Sequence, residues 1–291
     1  MSSAAPSAPR GIAIVTDSTS NLSGDLLLRH EITVAPLNVH FGPETFRDQI
    51  DITTEQFMSR LHRTTDPPTT SQPSAGVFEE IFRALAVDHD TIIAPLISSK
   101  LSGTIQSATI AAEAVSGLVR VEIVDSLNAS MGLGLQVLRA ARLARSGQTA
   151  GEIVRTLRAE TQLHHLLFLV DSLDYIHRGG RIGRARTLLG TLLQLKPLLR
   201  VDEGLIVPYE RTRTRAKAIE GLARFVQGLP RIEELTLLHS SNEDDLARIM
   251  ADLSPLFPPE RMTTAQFSPV IGAHVGPGAV GVCVFEGEAT P

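Results

Sequence analysis

Tryptophan is absent from the 291 residues, and only 2 Tyr and 10 Phe are present. Surfaces that stack unpaired bases need exposed aromatic rings, so single-stranded nucleic acid finds little to bind. An excess of basic charge is also missing: 27 Lys and Arg stand against 32 Asp and Glu, a net charge of −5. No nucleic-acid partner is therefore expected from the whole-chain balance. The single cysteine, Cys283, cannot form a disulfide within the chain, which suits a reducing, cytoplasmic setting. Its neighbours, Val280 to Phe285, read as a buried strand, where apolar surroundings keep a thiol inert. No stretch approaches the ~18–20 uninterrupted apolar residues of a membrane span, so no integral membrane contact is expected. The leucine-rich region 188–199 is broken by Gln194, Lys196 and Pro197. Residues 1–10 are small, polar and Pro-containing. They lack the order of a secretory signal and read as a disordered tail.

Familiar catalytic sets are missing too. Ser102 sits in Leu101-Ser102-Gly103 and not in a Gly-x-Ser-x-Gly elbow. No His-Glu-x-x-His or Cys-x-x-Cys spacing occurs, so neither a metal site nor a cofactor is expected. His164 and His165 are adjacent, and in a strand they point to opposite faces, which makes them a poor metal pair.

What is present is a repeated α/β pattern. Ile12–Val15, Thr91–Ile97 and Val121–Val124 are short apolar runs, each followed by a polar cluster and then a helical stretch. Such runs suit strands buried on both faces of a parallel sheet. Helices are expected at 22–30, 53–64, 76–87, 103–116, 129–146 and 149–161, with Pro67-Pro68 closing off the second. Beyond residue 160 come a strand at 166–170 and helical stretches at 172–178 and 182–195. A hairpin follows around Asp202-Glu203-Gly204, then helices at 214–228 and 242–253 flanking a strand at 234–239, and a last strand at 279–285. The expected fold is α/β. A mostly parallel sheet layered with helices spans 11–160, and a second α/β domain with antiparallel strands spans 161–291.

Three polar clusters lie where chemistry could occur. Ser98-Ser99-Lys100-Leu101-Ser102-Gly103-Thr104 follows a strand and opens a helix. Helix N-termini present unpaired N–H groups, Gly103 allows close approach, and Ser102 and Thr104 add hydroxyls, so a carboxylate or phosphate fits there. An ordinary helix cap explains the same residues. Thr69 to Ser74 is a second hydroxyl-rich stretch, held by prolines and ending in a cap at Ser74. His177-Arg178-Gly179-Gly180-Arg181 combines backbone freedom with forked cationic donors. It follows a helix-like stretch and so lacks the context of a dinucleotide loop. A glycine loop at Gly272–Gly278 exposes one histidine, His274.

Taken in order, these segments resemble the DegV family of bacterial fatty-acid-binding proteins. Thr16-Asp17-Ser18, Phe46–Ile52, Thr70–Ser74, Ser98–Ala108, Arg178–Ile182 and His274–Gly278 all match, over about residues 11 to 286. Ile105 departs from the pattern, where the family often has an aromatic residue. The resemblance implies two domains with a buried tunnel for a long-chain fatty acid. It implies that the carboxylate is held by hydroxyls at Thr70 and Ser102, with Ser71, Gly103 and Thr104 beside them. The family's Arg and His map onto Arg178 and His274. The resemblance further implies a non-catalytic carrier that presents its fatty acid to a separate fatty acid kinase, which makes the acyl-phosphate. The residues agree with this: Leu, Ile and Val are abundant, and 188–199 could form a wall of the tunnel or an ordinary core helix.

Two other readings stand beside it. One is a stand-alone enzyme acting on a small carboxylated or phosphorylated metabolite. The other is a docking patch made by Arg178, Arg181, Arg184 and Arg186, or by Arg211, Arg213 and Arg215 on one face of a strand.

Overall fold

The computed structural model describes residues 11–64, 66–189, 195–240 and 243–287; the tail expected at 1–10 lies outside them. In chain order the elements are β1 (Ile12–Asp17), α1 (Gly24–Arg29), β2 (Ile32–Ala35), β3 (Asn38–Phe41), β4 (Glu44–Arg47), α2 (Thr54–Leu61), β5 (Thr69–Ser71), α3 (Ala75–Leu85), β6 (Thr91–Leu96), α4 (Thr104–Ala114), β7 (Arg120–Asp125), α5 (Met131–Arg145) and α6 (Ala150–Glu160). There follow β8 (His164–Leu169), α7 (Asp174–Arg178), β9 (Lys196–Asp202), β10 (Leu205–Thr212), α8 (Arg215–Gln227), β11 (Glu234–His239), α9 (Glu243–Leu253), β12 (Met262–Gln266), α10 (Pro269–Val275) and β13 (Val280–Phe285).

The apolar runs form the parallel sheet β2-β1-β6-β7, as their composition requires. Alternation divides its faces. Ala13, Val15, Ile92, Ala94 and Leu96 pack on Phe78 and Phe82 of α3 and Ala108 and Ala111 of α4. Ile14 and Ile93 point the other way, toward α5. The second sheet, β10-β9-β8-β13-β11-β12, is antiparallel except for the β11–β12 pair. Leu166, Phe168, Cys283 and Phe285 face α5, whereas Leu167, Leu169, Val280 and Val282 face α8 and α9. The result is a helix–sheet–helix–sheet–helix sandwich.

Helix α5 is the shared middle layer, and eleven of its residues are buried. Leu133 is fully buried in the cluster that joins both sheets. Gln136, also buried, offsets part of the cost of desolvation by donating from Nε2 to the carbonyls of Ser126 (3.0 Å) and Gly132 (3.2 Å). At Gly134 a Cβ would lie 2.5 Å from the carbonyl of Ser20, so the helix approaches this closely only because the side chain is absent.

A third, small antiparallel sheet, β4-β3-β5, lies against α2 and α10. Val39, Phe41, Phe57, Met58, Val270 and Ala273 form its apolar core. The helix starts follow local sequence. Thr53 with Gln56 and Thr149 with Glu152 form capping boxes, and Ser74, Thr214 and Ser268 cap α3, α8 and α10.

Several expectations need correction. The helix expected at 182–195 is a 3-10 segment over Gly183–Leu188, and residues 190–194 lie outside the described ones. Gly183 has φ +51°, which no continuing α-helix tolerates. The Arg211–Arg215 run is not one strand: β10 ends at Thr212, and Arg215 opens α8, where it pairs with Asp171 and Asp245. His274 does not sit in an exposed loop but on α10. Among the described residues, no helix is long and apolar enough to cross a membrane, and no cluster of His, Cys, Asp and Glu could hold a metal ion.

Candidate functional site

A cavity of about 740 Å³, counted to its mouth, opens between the two large sheets and the small one. Its walls are largely aliphatic and aromatic: Ile97, Leu166, Phe168, Ile206, Phe267 and Val270 are representative. Polar groups gather at one end, where Thr70, Ser71, Gln72, Ser102, Arg181 and His274 meet. Gln72 is exposed there, so the polar end is also an outward-facing one.

Each polar group is held by identifiable contacts. Thr70 comes from the short edge strand β5, paired with Val39 of β3, and its Oγ1 lies 2.9 Å from His274 Nε2. Burial, reinforced by the Arg181 cation, lowers the His274 pKa to about 4, so the ring is neutral near pH 7. Nδ1 of His274 has no partner among the described residues. With the proton on Nε2, the ring donates to Thr70 and frees the threonine proton to point at a ligand. A Cβ at Gly179 would lie 2.2 Å from Nδ1, so only glycine lets the imidazole seat at this spot.

The segment before α4 divides its duties. Ser98 Oγ donates to the Gly204 carbonyl (2.9 Å), Ser99 Oγ to Asp125 (2.6 Å), and Lys100 Nζ to the Glu203 carbonyl (2.6 Å). These three tie the segment to the β7 end and the β9–β10 turn and do not line the cavity. Ser102 does line it, with its Oγ 2.8 Å from Thr104 Oγ1. Thr104 is fully buried behind it. Gly103 is the residue that caps α4, with no side-chain bond to the helix, and a Cβ there would press on Gln72. Ser71 is at the cavity too, but its hydroxyl is engaged by His40 Nε2 at 2.9 Å.

The two arginines of the Gly-Gly segment separate. Arg178 is exposed at the end of α7 and lines a different, shallower recess with Leu61 and Asp174. Gly180, at φ +72°, turns the chain so that Arg181 reaches the cavity described above. Arg181 Nε donates to the Leu101 carbonyl (3.0 Å) and Nη1 to the Gly179 carbonyl (2.7 Å), leaving further N–H groups for an anion. Sequence reasoning put Arg181 in the Gly-Gly cluster with its forked donors and in a docking patch, but mapped the family's Arg onto Arg178. The signal available was its place after two glycines, which does not by itself say which arginine turns inward.

Deeper in, the buried Asp17 carboxylate accepts from Ile97 N (2.8 Å), Thr19 N (3.0 Å) and Thr19 Oγ1 (2.5 Å), fixing the cavity residues Thr19 and Ile97. Burial raises its pKa, and those three donors work against the rise. Asp48 accepts from Val270 N at 3.3 Å, which anchors α10. Its burial pushes its pKa up to about 7. Ser130 caps α5 at φ 51° and ψ −146°, a region seldom used by residues other than glycine; it lines the cavity, and its buried hydroxyl has no partner among the described residues.

The family model described as "Uncharacterised protein, DegV family" matches residues 11–287. The chain belongs to the DegV family. It is 34% identical over 278 residues to Protein DegV of Bacillus subtilis, an alignment covering 94% of this chain and 98% of that one. It is 40% identical over 280 residues to a DegV domain-containing protein of Deinococcus radiodurans, covering 94% and 98%. Among solved structures, a DegV family protein from Thermus thermophilus, described with its fatty acid binding, superposes with a TM-score of 0.88 at 37% identity, covering 95% of this chain and 99% of that one. Bacillus subtilis DegV, described as a fatty acid binding protein, superposes with a TM-score of 0.84 at 33% identity, covering 94% and 99%. The DegV fold thus accounts for the architecture of both large sheets.

Proposed function

We propose that this chain binds a long-chain fatty acid in the cavity, with its carboxylate at Thr70, Ser102 and Arg181. The observation that carries the reading is a cavity with largely aliphatic and aromatic walls and an outward-facing polar end that holds a cation. Each buried methylene contributes ~0.8 kcal/mol, before the costs of association. A carboxylate taken out of water must be hydrogen-bonded or it takes up a proton. Two hydroxyls and a guanidinium meet that need, and His274 orients Thr70. The fatty-acid binding described for the Thermus and Bacillus relatives supports the same ligand class.

In this reading the protein is a carrier. Its carboxylate end faces outward beside the exposed Gln72, where a separate kinase would reach it to form the acyl-phosphate. The exposed Arg178, Arg184 and Arg186 follow nearby in sequence and give such a partner an electropositive surface to dock on.

Organic-solvent extraction of the purified protein should release close to one fatty acid per chain. A protein that is empty on purification and takes up neither oleate nor palmitate refutes the reading. Incubation with ATP and simple esters, with no partner protein, separates the carrier from a stand-alone enzyme acting on a small carboxylated or phosphorylated metabolite. Turnover under those conditions would favour the enzyme.

A further inference from the structure

Behind the acyl cavity lies a second, polar chamber of about 570 Å³, counted to its mouth. Leu166 and Val201 line both spaces. The antiparallel register pairs Leu167 with Arg200, so Leu166 and Val201 lie one residue further on, side by side. They form a partition one side chain thick. The sheet face that lines the cavity continues past it. Phe168 and Leu166 of β8 face the acyl cavity, and His164, two residues beyond, shares their face because strand side chains alternate.

The chamber is lined mostly by polar residues, among them Asn128, Thr161, Gln162, Arg200 and Asp202 together with His164. His164 is only 4% exposed, and its ring stacks on Phe285 with centroids 4.3 Å apart. Asn128 Nδ2 donates to its backbone carbonyl at 2.9 Å. Neither ring nitrogen has a partner among the described residues. Burial, with the charges of His165, Arg139 and Arg142, lowers its pKa to about 3, so the ring is neutral and offers one donor and one acceptor. Two such unmet groups in one buried ring are unusual, because stranded polar atoms are costly. Polarity also begins on the near side of the partition. Ser130, two residues after Asn128, lines the acyl cavity and carries a buried hydroxyl without a partner among the described residues.

We propose that Ser130 and the His164 chamber form a distal subsite for a hydroxyl group carried on the far part of the acyl chain, so that the ligands include hydroxylated long-chain fatty acids. This rests on the acyl-binding reading above. A hydroxyl can donate or accept, and so can bond whichever nitrogen of a neutral imidazole faces it. A plain alkyl tail gains nothing beyond Leu166 and Val201 and stops there.

The test is calorimetric titration of the delipidated full chain with hexadecanoic and octadecanoic acids and with their ω-hydroxy forms. In the wild type, the ω-hydroxy form of at least one length should bind as tightly as its parent or more so. His164→Leu should leave both parents within about twofold and weaken that ω-hydroxy acid about tenfold, the effect of stranding a buried hydroxyl. Val201→Ala, which thins the partition without touching the polar groups, should improve the ω-hydroxy acid relative to its parent and serves as an independent readout if His164→Leu fails to fold. Both parents binding while both ω-hydroxy forms bind at least tenfold more weakly would overturn this inference alone. Equal losses for parent and ω-hydroxy acid in His164→Leu would overturn it as well. If neither parent binds, the acyl reading falls and this one with it.

Discussion

Arg181 offers the sharpest test of the head-group site. Replacing it with Met keeps much of the side chain's apolar stem and removes the guanidinium. Hydrogen bonds to a charged partner contribute about 1.5–3 kcal/mol, so a fatty acid should bind roughly ten- to a hundredfold more weakly. The loss should depend on pH. With no cation beside it, the bound carboxylate has reason to take up a proton, so Arg181→Met should lose least at low pH, where the free acid is already protonated. A readout free of ligand accompanies this. Arg181 helps depress the His274 pKa, so the ring's NMR titration should move up from about 4 in the variant. Burial is the larger cause, and the pKa should still fall short of an ordinary histidine's. Arg181→Lys keeps a charge but not the fork that reaches both Leu101 O and Gly179 O, and should recover only part of the affinity. Arg178→Ala is the contrast, since that residue lies outside the cavity, and should bind within about twofold of wild type. Fluorescent fatty-acid displacement across pH 5 to 8 measures all of these. Unchanged affinity in Arg181→Met together with a large loss in Arg178→Ala would refute the placement.

Other outcomes follow from the packing. Gly179→Ala should displace His274 and weaken fatty-acid binding without unfolding the protein; displacement titration and circular dichroism together check this, and full affinity would mean that the His274–Thr70 contact is dispensable. Asp48 has its pKa raised to about 7, so between its ordinary value and 7 the folded state holds a proton that the unfolded state releases. That contribution is present at low pH and is lost as pH rises through 7, and Asp48→Asn should flatten the fall in melting temperature between pH 5 and 8. Leu133→Ala, fully buried where both sheets meet α5, should cost about 2–5 kcal/mol in denaturant melts, with one transition for the whole chain.

Much of the architecture was legible because continuous apolar runs and capping residues speak locally. Ile12–Val15, Thr91–Ile97 and the helices capped by Thr53, Ser74 and Thr149 all formed near their expected positions. The small sheet was not legible. In β3, Asn38 and His40 alternate with Val39 and Phe41 over only four residues, and β4 is largely exposed, so neither makes a run. Helix α10 was hidden for a related reason: its Gly272 suggests a loop, yet that glycine is what lets the helix press on Phe57 of α2, where a Cβ would lie 2.9 Å away. Of the head-group site, Thr70, Ser102 and His274 come together at the cavity, while Arg178 does not. The difference between Arg178 and Arg181 depends on one positive-φ turn at Gly180, which a linear pattern cannot weigh.

Helix α10 also has a consequence for how the protein is made. It covers the apolar cluster of Leu37, Val39, Phe41, Phe57 and Met58, yet it lies more than two hundred residues later in the chain. At ~5–20 residues per second, a ribosome would leave that cluster without its lid for roughly ten seconds or longer. Phe267, Val270, Ile271, His274 and Val275 reach the cavity only with the same late segment. A nascent chain still short of them has neither a closed cavity nor the partner of Thr70, so on the proposed reading loading with lipid has to wait until this late segment has been made.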